Sequence, residues 1–483
     1  MKYYIGLDIG TSSVKAVLIS ENRIERTVSA DYPISFPENG WAEQNPEDWY
    51  NKTVELLKKL AAEYPASDIK AVSFSGQMHG LVILDKEDKV IRPAILWNDG
   101  RSELETDYLN NKVGRKFLLE HTGNIAFAGF TAPKLLWVYN NEPENFKKTA
   151  KIMLPKDYVA YRLSGSFATD VSDAAGTLYF DTENKRWSSE MLELLHIKES
   201  MLPKIYESDE VIGGICDAAA IETGLNKDTK IVIGAGDNAA SAIGTGTLNN
   251  GDCNISLGTS GTVFVCTDSF KCDKENAIHS FCSANRKYHY LACTLTAASS
   301  QKWWVEDILK SNYKFIETAE IDKNNVLFLP YLMGERSPVN DSGVRGMFCG
   351  LSLDTTREEM TLSVLEGVAF SLKQNLDIIR SSGVAVKRSK VCGGGAKSRK
   401  WMEILASILN VELEIPLLEH GGGLGAAMLA AKSVMSEEEY SNLEKEFYKI
   451  KERILPNPEL QKYYAGKYLK YLKLYPAVKS VEQ

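Results

Sequence analysis

Two short turns in the chain combine glycine, threonine and serine in the way that a phosphate site needs. They are DIGTSSVK at residues 8–15 and SLGTSG at residues 256–261, each after a strand-like apolar run. Backbone N–H groups and hydroxyls gathered in one turn can bind phosphate oxygens. The first copy adds Lys15 and Asp8, a carboxylate that could hold Mg²⁺ through water, whereas Ser256 replaces Asp8 in the second. One such turn alone could be an ordinary hairpin, but the repetition favours two turns that grip a polyphosphate.

A second carboxylate stands at a glycine turn further along, in GAGDNAA at residues 234–240. An apolar strand leads into this turn, and the small residues after Asp237 predict the start of a helix. A carboxylate placed near helix N–H groups at the floor of a cleft can accept a proton from a substrate hydroxyl. The alternative is that Asp237 only caps the helix that follows.

Glycine-bounded loops supply the candidates for recognising neutral ligands. SFSGQMHGLVIL, residues 73–84, places Gln77, Met78 and His79 between two predicted strands. Their uncharged donors and acceptors suit a polyol better than an acid, although a lone histidine is as often structural. CGGGAKS at 392–398 lets a flat ligand approach the backbone but lacks P-loop spacing, so a tight turn and an adenosine site both stay open.

Two charged turns, LWNDGRS at 96–102 and MGERSP at 333–338, follow apolar runs. Either could close a cleft, but we expect them mainly to form salt bridges.

The elements that position these residues begin with three antiparallel strands before residue 40. Asn45 as N-cap and Pro46 then begin a helix, and a buried strand ending at Gly76 follows. This order predicts a mixed sheet and does not fit a dinucleotide-binding domain. Strand, Gly-Thr-Ser turn and returning strand recur about 250 residues later, so the pattern predicts two duplicated α/β cores.

We expect the division between the two cores near residues 234–250. The predicted domains are 1–245, with the sugar site and the first phosphate turn, and 246–483, with the nucleotide site and the second turn. A long helix is predicted from Thr356 to Ser382, begun by a Thr356–Glu359 capping box. The tail from about Ser436 is predicted as solvated helix.

Composition narrows the class of protein. The 483 residues are 44% hydrophobic and 25% charged, and the net charge of −8 argues against a nucleic-acid partner. The N-terminus lacks a signal-peptide pattern and no run is long enough for a membrane span, so the expected location is the cytoplasm. The eight cysteines and six histidines are scattered, which predicts reduced thiols and no transition-metal site built by the protein.

In chain order, the motifs DIGTSSVK, GQMHG, WNDGR, GDNAA, SLGTSG, GER and GGGA resemble those of the FGGY carbohydrate kinases, within the actin, sugar-kinase and heat-shock ATPase superfamily. GQMHG has the form of the pentulose kinases. The resemblance spans roughly Tyr3 to Lys432 and implies two ribonuclease-H-like lobes with a central cleft. The sequence departs from the family pattern at Ala235, which is a mild change, and at Gly422 and Gly423. These two glycines are expected to loosen a connecting element near the hinge.

The resemblance also implies roles for individual residues. Asp237 would be the catalytic base and Asp8 would organise Mg²⁺, with Asp237 also close to the metal. The sugar contacts would be Gln77, Met78, His79, Asp237 and Asn238. The phosphate and nucleotide contacts would be Thr11, Ser12, Lys15, Gly258, Thr259, Gly394, Gly395 and Ala396.

The reaction implied by the resemblance is ATP-dependent phosphorylation of D-xylulose at its 5-hydroxyl, with ATP and Mg²⁺ as cofactors. Ribulose or another ketose or polyol is the alternative substrate, and a non-catalytic sugar sensor is the alternative function. Partners are expected to be the sugar and ATP alone, without nucleic acid or membrane. A homodimer is expected only by analogy with the family.

Overall fold

A computed structural model describes residues 1–273, 278–321, 324–418 and 421–482 of the chain. Two seven-stranded mixed sheets form its centre, and helices cover their faces. We call them the N-terminal sheet and the C-terminal sheet. The predicted α/β class with two duplicated cores is confirmed.

The first half of the chain alternates strands and helices. Its strands are β1 (Tyr3–Ile9), β2 (Ser13–Ile19), β3 (Ile24–Asp31), β4 (Glu43–Gln44), β5 (Ile69–Gly76), β6 (Val82–Leu84), β7 (Ala94–Ile95), β8 (Lys151–Met153), β9 (Ala168–Asp170), β10 (Phe180–Asp181), β11 (Arg186–Trp187), β12 (Lys204–Tyr206), β13 (Val211–Gly214), β14 (Lys230–Val232) and β15 (Ala235–Gly236). Its helices are α1 (Pro46–Glu63), α2 (Glu103–Asp107), α3 (Arg115–Thr122), α4 (Thr131–Asn141), α5 (Pro143–Lys148), α6 (Pro155–Ser164), α7 (Val171–Ala174), α8 (Ser189–Leu194), α9 (Asp217–Thr223) and α10 (Asp237–Thr245).

The second half repeats this alternation with longer helices. Its strands are β16 (Cys253–Leu257), β17 (Gly261–Thr267), β18 (His279–Cys282), β19 (Tyr288–Thr294), β20 (Leu327–Leu329), β21 (Met347–Cys349), β22 (Arg388–Cys392), β23 (Glu412–Pro416) and β24 (Ile450–Ile454). Its helices are α11 (Ala298–Lys302), α12 (Arg357–Ser381), α13 (Arg399–Leu409), α14 (Gly421–Lys432), α15 (Glu437–Phe447), α16 (Pro458–Tyr471) and α17 (Leu474–Glu482).

The two sheets share one local topology around their phosphate turns. The N-terminal sheet has the order β13-β14-β5-β1-β2-β3, with β15 beside β5, and the C-terminal sheet has the order β18-β19-β17-β16-β22-β23-β24. In the first, β1 pairs antiparallel with β2 and parallel with β5. In the second, β16 pairs antiparallel with β17 and parallel with β22. Each Gly-Thr-Ser turn therefore joins the two strands of a central hairpin.

Helix α14 belongs to the second half of the chain but packs on the N-terminal sheet and against α10. Small residues make this packing possible, because a Cβ atom added to Gly6 of β1 would lie 2.0 Å from the carbonyl oxygen of Gly423. Gly422 and Gly423 form part of the first turn of α14, and a Cβ atom on Gly422 would lie 2.2 Å from the Ser75 hydroxyl. Within this contact the two glycines permit close packing. Their predicted effect on the hinge stays a prediction.

The predicted helix ends agree with the structure. The Asn45 side chain accepts a hydrogen bond from the N–H of Glu47, and Pro46 is the first residue of α1. Thr356 and Glu359 form the capping box that begins α12. The tail differs from the prediction at one point, because β24 pairs with β23 at the edge of the C-terminal sheet. Among the described residues, no helix is both long and apolar enough to cross a membrane.

Candidate active site

Asp8 stands near the end of β1, directly opposite Lys15 in the hairpin with β2. The Ser75 hydroxyl of the neighbouring strand β5 donates a hydrogen bond of 3.0 Å to Asp8 Oδ1. Burial raises the pKa of Asp8, while the hydrogen bond from Ser75 and the charge of Lys15 act in the opposite direction. The carboxylate is therefore held in place at the start of the first phosphate turn.

Asp237 is the first residue of α10, and Gly236 of β15 is the N-cap. Asp237 Oδ1 accepts hydrogen bonds from the backbone N–H of Asn238 at 2.7 Å and from its side-chain amide at 2.9 Å. Burial, followed by the negative charge of Asp8, raises the pKa of Asp237 to about 7. The two carboxylates are thus close enough to repel each other, which suits a bound cation or a transferred proton.

The first phosphate turn is held by side chains from other strands and loops. The Trp97 indole N–H donates to Thr11 Oγ1 at 2.9 Å, and the Gln44 amide donates to the carbonyl oxygen of Thr11 at 2.7 Å. The Ser12 side chain is exposed. The turn LWNDGRS thus contributes Trp97 to the phosphate turn, and its Asp99–Arg101 pair forms the expected salt bridge, at 2.7 Å.

The second phosphate turn lines a cavity of about 840 Å³ beside the C-terminal sheet. The carbonyl oxygens of Gly258 and Thr259 accept backbone hydrogen bonds from Ala298 and Ala297, and the Thr259 side chain is exposed. The cavity is lined by Thr259, Ala298, Ser299, Gln301, Lys302, Trp303, Asp307, Tyr313, Lys314, Glu317, Gly394, Gly395, Lys397 and Ser398.

The glycine turn at 392–398 contributes to the wall of this cavity. A Cβ atom added to Gly394 would meet nothing within 4 Å, whereas one on Gly395 would lie 2.7 Å from the Trp401 ring. Gly394 thus leaves room for a ligand and Gly395 lets the turn pack on the core. Ala396 packs against the hydrophobic core and is not among the residues that line the cavity.

The wall from Gln301 to Glu317 was missed by the sequence analysis. Trp303, which is half-buried, supplies a large aromatic surface there, and Asp307 and Lys314 supply charges of opposite sign. The pair of tryptophans in SSQKWWVED is the only signal for this wall in the sequence, and the same pattern is typical of any amphipathic helix.

Gln77 and Met78 follow the end of β5, close to both carboxylates. The Gln77 amide donates to Gln44 Oε1 at 3.0 Å, so this side chain supports the residue that holds the first phosphate turn. Met78 is buried, and a Cβ atom on Gly236 would lie 3.0 Å from its Sδ. The two predicted sugar contacts thus differ, since Gln77 is turned to the phosphate turn and Met78 lies against the residue before Asp237.

His79 has a positive φ of 69° and a largely buried side chain. Its Nδ1 lies 2.7 Å from the carbonyl oxygen of Gly176, which assigns the proton to Nδ1 and leaves Nε2 as an acceptor. The Phe130 ring packs on it with centroids 4.7 Å apart. Burial and then the charge of Lys134 hold the pKa of His79 well below its usual range, so the ring is neutral.

The turn MGERSP brings charge to the same region from the second half of the chain. Glu335 is buried and accepts hydrogen bonds from Thr294 and from the N–H groups of Leu295 and Arg336. An Nη atom of Arg336 lies 3.0 Å from the position of a Cβ atom added to Gly129. Its positive charge also lowers the pKa of His79. The expected salt bridge within this turn is not among the ion pairs of the described residues.

Comparison with known proteins gives the same family for both halves. The model of the FGGY family of carbohydrate kinases matches with its N-terminal domain at residues 3–244 and with its C-terminal domain at residues 253–434. A curated relative, the xylulose kinase of Staphylococcus xylosus, is 37% identical over 440 residues, which cover 89% of this chain and 91% of the relative.

Two solved structures from Lactobacillus acidophilus are similar along nearly the whole chain. One is a ligand-bound xylulose kinase, 28% identical with a TM-score of 0.94, and the comparison covers 99% of both chains. The other is a gluconate kinase, also 28% identical, with a TM-score of 0.93 and coverage of 99% of this chain and 98% of that one. The two family domains together match well over half of the residues. The chain belongs to the FGGY family of carbohydrate kinases.

Proposed function

We propose that this carbohydrate kinase transfers the γ-phosphoryl group of ATP to the 5-hydroxyl of D-xylulose. The observation that carries the proposal is the electrostatic interaction of two buried carboxylates, Asp8 and Asp237, next to the neutral loop of Met78 and His79. The names of the relative from Staphylococcus xylosus and of one solved structure support xylulose as the sugar. ADP and D-xylulose 5-phosphate are the products.

Asp237 is proposed as the proton acceptor. The sugar O5 forms a bond to the γ-phosphorus, the bond from that phosphorus to the β,γ-bridging oxygen breaks, and the O5 proton passes to a carboxylate oxygen of Asp237. The raised pKa of about 7 supports this role, because such a carboxylate binds a proton more firmly than an exposed one. The hydrogen bonds from Asn238 fix its orientation.

Mg²⁺ is proposed to bind at Asp8, with Asp237 nearby. The negative charge of Asp8 raises the pKa of Asp237, and such a carboxylate pair fits a hard divalent cation, which typically uses one or two carboxylates together with water and phosphate oxygens. Among the described residues there is no cluster of three or more His, Cys, Asp or Glu side chains that could hold a metal ion. The ion would supply charge neutralisation on the phosphates.

The nucleotide is proposed to occupy the 840 Å³ cavity, with its phosphates directed to the two Gly-Thr-Ser turns. Thr259 and Gly394 would lie along the phosphates and ribose, and Trp303 offers a surface on which a base can stack. Thr11, Ser12 and Lys15 would contact the phosphates from the N-terminal sheet, and Gly258 and Gly395 would shape the opposite side. Ala396 is proposed only as support for this turn.

The sugar is proposed to bind beside Met78, His79 and Asn238, where Nε2 of the neutral His79 can accept a hydrogen bond from a hydroxyl. Gln77 is proposed to act through Gln44. The division into a sugar-binding part at 1–245 and a nucleotide-binding part at 246–483 belongs to the same proposal. The homodimer and the cytoplasmic location stay predictions.

The test is sugar-dependent ADP release by the wild-type protein with D-xylulose, D-ribulose, D-gluconate and glycerol, followed by ³¹P NMR of the product. We expect the highest kcat/KM with D-xylulose and a phosphate ester at O5. A preference for D-ribulose would replace the substrate within the same reaction. A preference for D-gluconate would contradict the neutral sugar site, and no ADP release with any sugar would favour the non-catalytic sensor.

A further inference from the structure

The segment from β9 to α7 contacts the residue that precedes Asp237. The hydroxyl of Ser172 in α7 accepts a hydrogen bond of 3.1 Å from the backbone N–H of Gly236, the residue before Asp237. The same hydroxyl donates its own proton to Asp170 Oδ2 at 2.5 Å. Ser172 and Asp170 are both fully buried. A single side chain thus connects a buried carboxylate to the peptide that sets the position of Asp237.

Asp170 is itself fixed by four further groups, one of which is the backbone N–H of Asp173, 3.4 Å from Oδ1. The Lys156 ammonium lies 2.9 Å from its Oδ1. The N–H of Ser172 donates to Oδ2 at 2.8 Å, and the Ser208 hydroxyl donates to the same oxygen at 2.7 Å. Lys156, also fully buried, has a second carboxylate partner, Asp157, at 2.6 Å. The acceptor of the Ser172 proton is therefore held by an ion pair and several hydrogen bonds, and it orients the Ser172 lone pair toward Gly236.

We propose that Ser172 is a positioning residue for phosphoryl transfer and acts by fixing the peptide N–H of Gly236. This N–H is buried, so without Ser172 it would lose its hydrogen-bond partner, and the short strand β15 and the start of α10 would shift to recover one. A shift of Asp237 changes its distance to the sugar O5 and to Asp8. Nucleotide binding depends on the cavity beside the C-terminal sheet and is left intact. The inference rests on the proposed role of Asp237.

Ser208 provides a matched control. Its hydroxyl is fully buried and donates to the same oxygen of Asp170 as that of Ser172. No side-chain hydrogen bond of Ser208 reaches Gly236 among the described residues. Ser208→Ala and Ser172→Ala therefore remove the same group from the same acceptor, and only the second variant frees the peptide before Asp237.

The experiment compares kcat, the KM for D-xylulose, the Kd for ADP and the Tm of Ser172→Ala, Ser208→Ala and Asp237→Asn. We expect Ser172→Ala to lower kcat about tenfold or more, with an unchanged Kd for ADP. The reason is that the lost hydrogen bond fixes the peptide next to Asp237, the proposed proton acceptor. Ser208→Ala should keep kcat within about twofold of wild type at a comparable loss of Tm. Should Ser172→Ala fail to fold, Ser172→Cys leaves no cavity and weakens the acceptor, so the same loss of kcat is expected.

Two results would overturn the inference. One is equal kcat in the Ser172 and Ser208 variants while Asp237→Asn is inactive, because the serine would then be structural only. The other is a loss of ADP affinity in Ser172→Ala as large as its loss of kcat, which would indicate a general distortion. Wild-type activity of Asp237→Asn would instead contradict the proposed function itself, so the two failures are distinguishable.

Discussion

The contact between α10 and α14 gives the sharpest prediction, because it leaves no space for a single added carbon. A Cβ atom on Gly425 of α14 would lie 1.7 Å from the carbonyl oxygen of Ala240 in α10 and 3.1 Å from the N–H nitrogen of Gly244. Both neighbours are backbone atoms of a helix and cannot turn away as a side chain can. Gly425→Ala therefore requires the two helices to separate by roughly 1.5 Å.

This separation should affect both stability and catalysis. Overpacking of this kind costs about 1–3 kcal/mol or more of unfolding free energy. Helix α10 begins at Asp237, and α14 contacts β1 around Asp8, so the distance between the two carboxylates changes with the helix spacing. A displacement of about 1 Å at reacting groups can reduce the rate about 100-fold. We expect losses in both quantities.

The assay combines thermal unfolding with kcat for D-xylulose and uses Gly466→Ala as the control. Gly466 is exposed in α16, and a Cβ atom there would meet nothing within 4 Å. This variant should gain about 0.5–1 kcal/mol in stability and keep wild-type activity. Wild-type stability and activity in Gly425→Ala would refute the close helix contact.

Three further variants test the site and the core. Asp8→Asn removes a negative charge that raises the pKa of Asp237, where it is the second cause after burial. We expect kcat to fall about 100-fold and a metal titration to show a higher Mg²⁺ requirement. An unchanged Mg²⁺ requirement would contradict the metal role of Asp8. Trp303→Ala should raise the KM for ATP about tenfold and leave the KM for the sugar unchanged, if the base stacks on this ring; equal changes in both KM values would argue against that position. Lys467→Met leaves the buried Glu366 without the ammonium that lies 2.5 Å from its Oε2. Chemical unfolding should then show a loss of about 3–5 kcal/mol in the free energy of unfolding. The control Lys470→Met, on the exposed side of the same helix, should show almost no loss.

Local sequence signals predicted the elements that depend on neighbouring residues. The Asn45 cap and the capping box at Thr356 are both set by side chains within four residues of the backbone that they shape. The repeated Gly-Thr-Ser turn indicated the duplicated cores because one hairpin topology needs the same short turn twice.

Contacts between distant parts of the chain could not be predicted in this way. Nothing near Gly425 indicates that α14 crosses to the N-terminal sheet, since only the packing partner, Ala240, makes glycine necessary. The Gln77 amide donates to a buried acceptor, Oε1 of Gln44, and no pattern in the sequence around Gln77 predicts this hydrogen bond. The same holds for the bond from Gly236 to Ser172, which joins residues 64 positions apart.

The most direct test of the account measures ADP formation with D-xylulose, together with the Kd for ADP, in the wild-type protein and in Asp237→Asn. This substitution keeps the size of the side chain and removes the proton acceptor. We predict sugar-dependent ADP formation by the wild type, a loss of at least about 100-fold in the variant, and the same Kd for ADP in both. Activity of Asp237→Asn close to that of the wild type would contradict the central claim that Asp237 accepts the proton of the sugar hydroxyl.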